Sequence, residues 1–417
     1  MSQSIKFLDL FAGAGGLSEG FMRAGFAPIA HVESDASACF TLRTRMAMHW
    51  LRSNGMEPHY VDYLNQKITR TELYKLVPDA QIRSVINEKI GKDTLSDIFE
   101  QIDLLLNHEK LDLIIGGPPC QAYSVIGRSR GNMVGDERNL LYVYYAEFLK
   151  RYKPRYFVFE NVLGLLSAKD EVGDLYFDKM RQLFNEVGYS TEYMVLSSDQ
   201  YGVLQNRKRV ILVGKRGSRV GFYPEPEKWN PQTELWDLFS DLPKIKAGEG
   251  HFSPCRIEAY SGTWLYDAGI KSDLPVTWHQ SRPNTAQDLE IYRIAVELWN
   301  SKKQRLEYNM LPERLRSHRE SRSFTDRFKV VAGDLHYSHT MVAHISKDGH
   351  HYIHPDIEQN RSLTPREAAR IQSFPDDYFF ENVSIKPART SAFKQIGNAV
   401  PVLLASKIAE KLIQSWD

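Results

Sequence analysis

The sequence predicts an α/β fold: an open, mostly parallel, doubly wound (Rossmann-like) sheet carrying a second, smaller domain. Three observations predict it. Short apolar segments alternate with helix-like segments through the first third of the chain. A glycine-rich turn closes the first of those segments, at the end of the sheet where open α/β folds bind their ligands. From about Gly217 the pattern gives way to irregular sequence punctuated by Pro224, Pro226, Pro231, Pro243, Pro254, Pro275 and Pro283.

Ile5–Leu10 reads as a buried strand, and Phe11-Ala12-Gly13-Ala14-Gly15-Gly16 as the turn after it. Leu17–Ala24 reads as a short helix ended by Gly25. Phe26–Val32 follows as a second strand and Asp35–Met48 as a second helix. Residues 52–110 are too many for one crossover and read as extra helices, with a capping box at Thr69-Arg70-Thr71-Glu72. Leu111–Ile115 is a third clear strand, running into Gly116-Gly117-Pro118-Pro119-Cys120. Tyr156–Phe159, ending at Glu160-Asn161-Val162, and Val210–Val213 are two more. Phe393–Ser415 reads as an apolar helical stretch that docks on the sheet. The chain thus divides into a first domain at 1–216, a smaller one at 217–380 and a segment at 381–417 that returns to the first.

Composition narrows the function classes. The chain has 417 residues, 42% hydrophobic and 25% charged, which excludes a disordered, collagen-like or coiled-coil protein. Lys and Arg total 53 against 52 Asp and Glu, a net charge of +1. That excludes a uniformly basic coat for nucleic acid but leaves room for a basic patch. Cys39, Cys120 and Cys255 show no CxxC spacing, so neither a disulfide framework nor a structural zinc site is expected. A reducing, cytoplasmic location fits. Asp9 interrupts the apolar start, unlike a secretory signal, and no apolar run is long enough to span a membrane.

The chemistry gathers at strand ends. Gly13, Gly15 and Gly16 let backbone approach a ligand. Glu33 closes the second strand, where a carboxylate can bind ribose hydroxyls. Ser18 stands where a dinucleotide fingerprint needs its third glycine, so a nucleoside-containing cofactor fits better than a nicotinamide dinucleotide. Cys120 follows a buried strand and two prolines at the same edge, and a polar, basic loop, Gln121 to Gly131, follows it. Such a loop can close over a phosphate-bearing substrate. Glu160 ends another strand, placed to exchange a proton or a hydrogen bond with a substrate.

Six segments then occur in order. They are Phe11 to Gly16, Gly117-Pro118-Pro119-Cys120-Gln121, Glu160-Asn161-Val162, Gln205-Asn206-Arg207-Lys208-Arg209, Arg361 to Glu367 with Phe374-Pro375-Asp376, and Gln395 to Val400. Together the chain resembles the DNA (cytosine-5)-methyltransferases over residues 5 to 405, with breaks near 50–110 and 215–330. The resemblance implies the S-adenosylmethionine-dependent methyltransferase fold with a target-recognition domain at 217–380. It implies Cys120 as the nucleophile that adds to carbon 6 of a flipped-out cytosine. Glu160 then holds the ring nitrogen and amine, Arg209 reaches the carbonyl oxygen, and Arg207 orders the site. Phe11, Gly13, Ala14, Gly15 and Gly16 wrap the cofactor, Glu33 takes its ribose, and Pro119, Asn398 and Val400 complete the pocket. For the adenine amine Asp62 and Asp93 both fit, with Asp93 preferred because a helix and the Cys120 strand follow it. Gln121 binds substrate, and Ser124 anchors a phosphate beside the flipped base. No metal is needed, and the six histidines from His336 to His354 lack ligand spacing.

The implied partner is double-stranded DNA, bound by a monomer that serves as the modification half of a bacterial restriction-modification system, with a cognate endonuclease acting on the same site. The alternative is an RNA cytosine-5 methyltransferase on the same fold, disfavoured by the length of the recognition region. A non-catalytic DNA-binding protein is disfavoured by the intact Cys120, Glu160, Arg207 and Arg209. Two basic segments, Leu204–Gly221 and Lys302–Lys329, flank the recognition region and are expected to converge on one cleft.

Overall fold

The structure, a computed structural model, describes residues 4–119, 140–217, 220–316 and 325–416. Seven strands build the main sheet: β1 (Lys6–Leu10), β2 (Ala27–Glu33), β3 (Val85–Asn87), β4 (Leu113–Gly116), β5 (Tyr156–Asn161), β6 (Tyr189–Ser197) and β7 (Lys208–Arg216). Their order is 3-2-1-4-5-7-6; β3 to β5 are parallel, while β7 runs antiparallel to both β5 and β6. A two-stranded pair, β8 (Gly250–His251) with β9 (His279–Gln280), lies outside this sheet. The helices that matter for the site are α1 (Gly16–Arg23), α2 (Ala36–Ser53), α3 (Glu57–Leu64), α4 (Arg70–Lys75), α5 (Asp79–Arg83), α6 (Leu95–Leu106), α7 (Leu141–Tyr152), α8 (Tyr176–Glu186), α9 (Ala286–Lys302), α10 (Pro365–Ile371), α11 (Arg389–Asn398) and α12 (Val402–Gln414).

The strands read as continuous apolar runs because both faces of the sheet are covered. Phe7, Leu113, Ile115, Val158 and Ile211 face α1, α12 and much of residues 235–380. Leu8, Leu10, Ile114, Phe157, Phe159 and Leu212 face α6, α7 and α8. Residues 291–353 add a small core of their own, built on Ile291, Tyr292, Phe328 and Ile353.

Four features depart from the sequence reading. Strand β3 is only three residues long and carries no apolar run that would announce it. Strand β6 was not anticipated either; it alternates exposed and half-buried residues at the sheet's edge. The final helical stretch is two helices, because Pro401 cannot supply the backbone N–H that would continue α11 into α12. The first basic segment does not gather at one end of the sheet. Lys208 pairs with Ser197 at the carboxyl edge of the parallel strands, whereas Lys215 pairs with Tyr156 at the amino edge. Eight residues of strand separate Lys208 from Arg216, about 26 Å at the usual rise.

The capping box at Thr69 is present, and a second closes α10, where the Thr364 hydroxyl accepts from the Glu367 amide and the Glu367 carboxylate from Thr364.

Candidate active site

Strands β1, β2, β4 and β5 end on one edge of the sheet, and a cavity of about 650 Å³ opens there. Its wall includes Phe11, Gly13 and Ala14 from the first turn, Glu33 from β2, Glu88 to Thr94 after β3, Gly117 to Pro119 after β4, Glu160 and Asn161 from β5, Arg209 from β7, and Gln395 and Asn398 from α11. Sequence segments almost 400 positions apart therefore meet at one sheet edge, as the ends of parallel strands must.

The turn is shaped for backbone approach. Gly13 and Gly15 have φ of 55° and 82°, and Phe11 also lies in the left-handed region at 58°. The Glu33 carboxylate ties the turn to the next strand end: Gly13 N–H donates to Oε2 at 2.8 Å and Asp35 N–H to Oε1 at 2.7 Å. Gly15, Gly16 and Val400 stand behind the wall. A Cβ on Gly16 would come 2.3 Å from the Val400 carbonyl, so that glycine is needed for the return of the chain to pack there.

Beneath the turn lies Asp9, buried, with Oδ2 lacking a partner. Burial, with the Glu33 charge beside it, pushes its carboxyl well above the ordinary carboxylate range. Its register neighbour on β2, His31, bonds Ser18 through Nε2 at 2.7 Å and is driven by burial down to about 4.

At the opposite end of the cavity Glu160 and Arg209 form an ion pair, Oε1 to Nε 2.6 Å, both largely shielded from solvent. Gly117 permits it: a Cβ there would come 2.6 Å from Glu160 Oε2. Asn161 fixes the loop that leads to Cys120, donating to the Pro118 carbonyl at 3.3 Å. Arg207 does not line the cavity. Its guanidinium is buried and donates to the Met341 carbonyl at 2.6 Å. Gln205 works beside it, accepting from the Met341 amide at 2.7 Å and donating to Gln372 Oε1 at 2.9 Å. Gln372 in turn donates to the Ile396 carbonyl at 2.8 Å and the Ala399 carbonyl at 3.2 Å. These contacts bind β7, the end of α10 and α11 into one frame.

Cys120, Gln121 and Ser124 lie outside the described residues; Pro119, the residue before them, lines the cavity. Asp93 also lines it, whereas Asp62 is held in an ion pair with Lys67 and does not. Glu88, one residue past β3, lines the cavity too and escaped the sequence reading because β3 itself did. The six histidines do not converge. His339 stacks on Tyr352 and His354 is buried beside Glu367, and among the described residues no group of three His, Cys, Asp or Glu could hold a metal ion.

Comparison with known proteins decides the family. The model for C-5 cytosine-specific DNA methylases matches residues 5–54 and 79–414. The chain belongs to that family. It is a DNA cytosine-5 methyltransferase. This methyltransferase is 41% identical to the Type II methyltransferase M.Bpa9945I of Bacillus paralicheniformis, over 96% of this chain and 97% of that one. It is 30% identical to the Type II methyltransferase M.DdeI of Desulfomicrobium norvegicum, over 99% of this chain and 89% of the relative. Its fold matches the crystal structure of an E. coli prophage protein assigned as a DNA modification methyltransferase. The TM-score is 0.62, the identity 21%, and 99% of each chain is covered. No helix among the described residues is long and apolar enough to cross a membrane.

Proposed function

We propose that this methyltransferase modifies carbon 5 of a cytosine flipped out of double-stranded DNA, through a covalent adduct to Cys120, using S-adenosylmethionine. The observation that carries this reading is one cavity with the Glu33-anchored glycine turn at one end and the Glu160–Arg209 pair at the other. Its size suits a nucleoside joined to an amino-acid chain. Gly13 offers no Cβ to crowd it, and Glu33 stands where ribose hydroxyls can donate. Phe11 and Ala14 complete that end, and Asn398 closes the rim. Asp93, with Glu88 also on the wall, is the carboxylate assigned to the adenine amine.

Carbon 5 of cytosine is a weak nucleophile while the ring is aromatic. Addition of the Cys120 thiolate to carbon 6 makes it enamine-like. Glu160 holds the ring nitrogen and exocyclic amine, and Arg209, already bonded to Glu160, reaches the carbonyl oxygen. S-adenosylmethionine, when bound, supplies the methyl group as an electrophile. Loss of the proton from carbon 5 then expels the thiolate. Gln121 and Ser124, which follow Cys120 in sequence, are the residues assigned to the flipped nucleotide and its phosphate. Target reading falls to part of 217–380, since Tyr378 near its end bonds the Ala14 carbonyl of the glycine turn, and 381–417 return to the cofactor site. The setting read for it is a monomer in the bacterial cytoplasm, paired with an endonuclease of the same specificity.

The test is transfer of a tritiated methyl group to unmethylated duplex DNA, with transfer RNA assayed in parallel. Wild type labels DNA, digestion of the product yields 5-methylcytosine, and Cys120→Ser abolishes transfer while still binding cofactor. Label on RNA alone, or on no duplex at all, would overturn the reading.

A further inference from the structure

The family model stops at residue 54 and resumes at 79. The unmatched stretch holds α3, α4 and the turn between them. None of its side chains lines the cavity. They converge on a strap, residues 377–382, that leads from α10 toward α11. Tyr60 Oη donates to the Asp377 carbonyl at 2.7 Å. Tyr63 Oη donates to the Glu381 carboxylate, and its ring meets Phe379 edge-on at 5.5 Å. Arg70 donates to the Asn382 carbonyl at 2.7 Å and lies over the Phe40 ring at 3.8 Å.

The strap in turn grips two pieces of the cavity wall. Tyr378 Oη donates to the Ala14 carbonyl in the glycine turn, and its ring sits against the Arg45 guanidinium at 4.7 Å. Arg45 is fixed on both sides, by Glu19 of α1 and by Asp377. At the strap's other end Gln395 donates to the Glu381 carbonyl at 2.9 Å and accepts from the Thr41 hydroxyl at 2.6 Å. Ala14 and Gln395 both line the cavity.

We propose that residues 55–78 form a brace that sets the affinity for cofactor. Tyr60, Tyr63 and Arg70 are positioning residues, acting through the strap, and Tyr378 is the final link to the cofactor turn. The proposal rests on reading the cavity as the S-adenosylmethionine site. The turn is held in left-handed backbone conformations and has few bonds of its own, so an outside donor on the Ala14 carbonyl fixes where its backbone faces the ligand. Without that donor the turn must be ordered when cofactor binds, which weakens binding. Among the described residues neither Glu160 nor Arg209 bonds to Tyr60, Tyr63 or Arg70, so the chemical step stays as it was.

The experiment compares wild type with Tyr378→Phe, Arg70→Ala and Arg70→Lys in the full chain. It records the Kd for S-adenosylmethionine by calorimetry, KM for cofactor and for DNA, kcat and melting temperature. Tyr378→Phe removes one oxygen. It should raise Kd and KM for cofactor about fivefold, the size of one net hydrogen bond, with kcat at saturating cofactor and KM for DNA within twofold. Arg70→Lys, which keeps a donor for the Asn382 carbonyl, should recover most of the cofactor affinity lost in Arg70→Ala. Variants that melt earlier but bind cofactor as wild type does would show a merely structural brace and overturn the proposal. A fall in kcat at saturating cofactor would overturn it as well. A wild-type chain that binds no S-adenosylmethionine would overturn the cofactor reading itself, a result distinct from either.

Discussion

Asp9 is a carboxyl whose charged form the fold disfavours. It is buried under the glycine turn, one oxygen has no partner, and Glu33 adds repulsion to the cost of burial. A folded-state pKa above the ordinary value of about 3.9 has a definite sign. The stability associated with the neutral form is fully present below that value and is lost as pH rises through the raised folded value. Asp9→Asn keeps the shape without the charge. It should stabilise the protein by about 1–3 kcal/mol at pH 8, the scale of a buried polar group left unsatisfied, and give no gain near pH 3.5. Thermal melts of the two proteins across that range check it; a variant less stable than wild type at pH 8 would refute the assignment. Residues such as Glu33 and Glu160 were legible because each ends an apolar run that announces its strand. Glu88 was not, since Val85-Ile86-Asn87 is too short to stand out from its surroundings.

Helix α10 shows how an element can be a fastener. Arg361, Arg366, Glu367 and Arg370 are all fully buried. Arg361 makes a two-pronged pair with Glu367, at 2.8 and 2.7 Å. Arg370 bridges Asp376 and Asp241, and Arg366 donates to the carbonyls of Thr277, Pro375 and Tyr378. The helix thereby joins residues 241–277 to the strap that carries Tyr378. Despite burial, the Arg361 guanidinium holds the Glu367 carboxyl well below the usual range. Its stabilisation is therefore present above the ordinary glutamate value of about 4.3 and lost as pH falls below it. Glu367→Gln, which strands a buried guanidinium, should cost about 3–5 kcal/mol at pH 7 and less at pH 3. Urea denaturation at both values measures this, and a loss under 1 kcal/mol at pH 7 would contradict it. From sequence, the order Arg361 to Asp376 marked a motif; that Arg370 also pairs with Asp241 inside the protein was not readable, because Asp241 lies more than a hundred residues away.

For the whole molecule, the net charge of +1 conceals an uneven surface. Arg305 is exposed and its charge reaches His339, which adjoins the Ser338–Gln205 contact beside Arg207. Lys215 sits over the Tyr156 ring at the opposite sheet edge. If DNA lies over the cavity, Arg305→Ala should reduce the slope of log affinity against log salt by about one, while Lys215→Ala leaves it unchanged. Fluorescence anisotropy on a short duplex at several salt concentrations separates the two; equal effects from both substitutions would mean DNA contacts both edges.

The sequence by itself determined the fold class, the strand-end positions of Glu33 and Glu160, and the family, because these depend on local runs of residues and on motif order. Only the tertiary structure decided three things. It set which basic residues face the site, since a strand's direction carries neighbouring charges to opposite edges. It showed that Arg207 bonds the Met341 carbonyl and does not line the cavity. It showed what residues 55–78 touch. Each depends on pairings between positions from eleven to more than three hundred residues apart, and composition or spacing along the chain carries no record of those pairings.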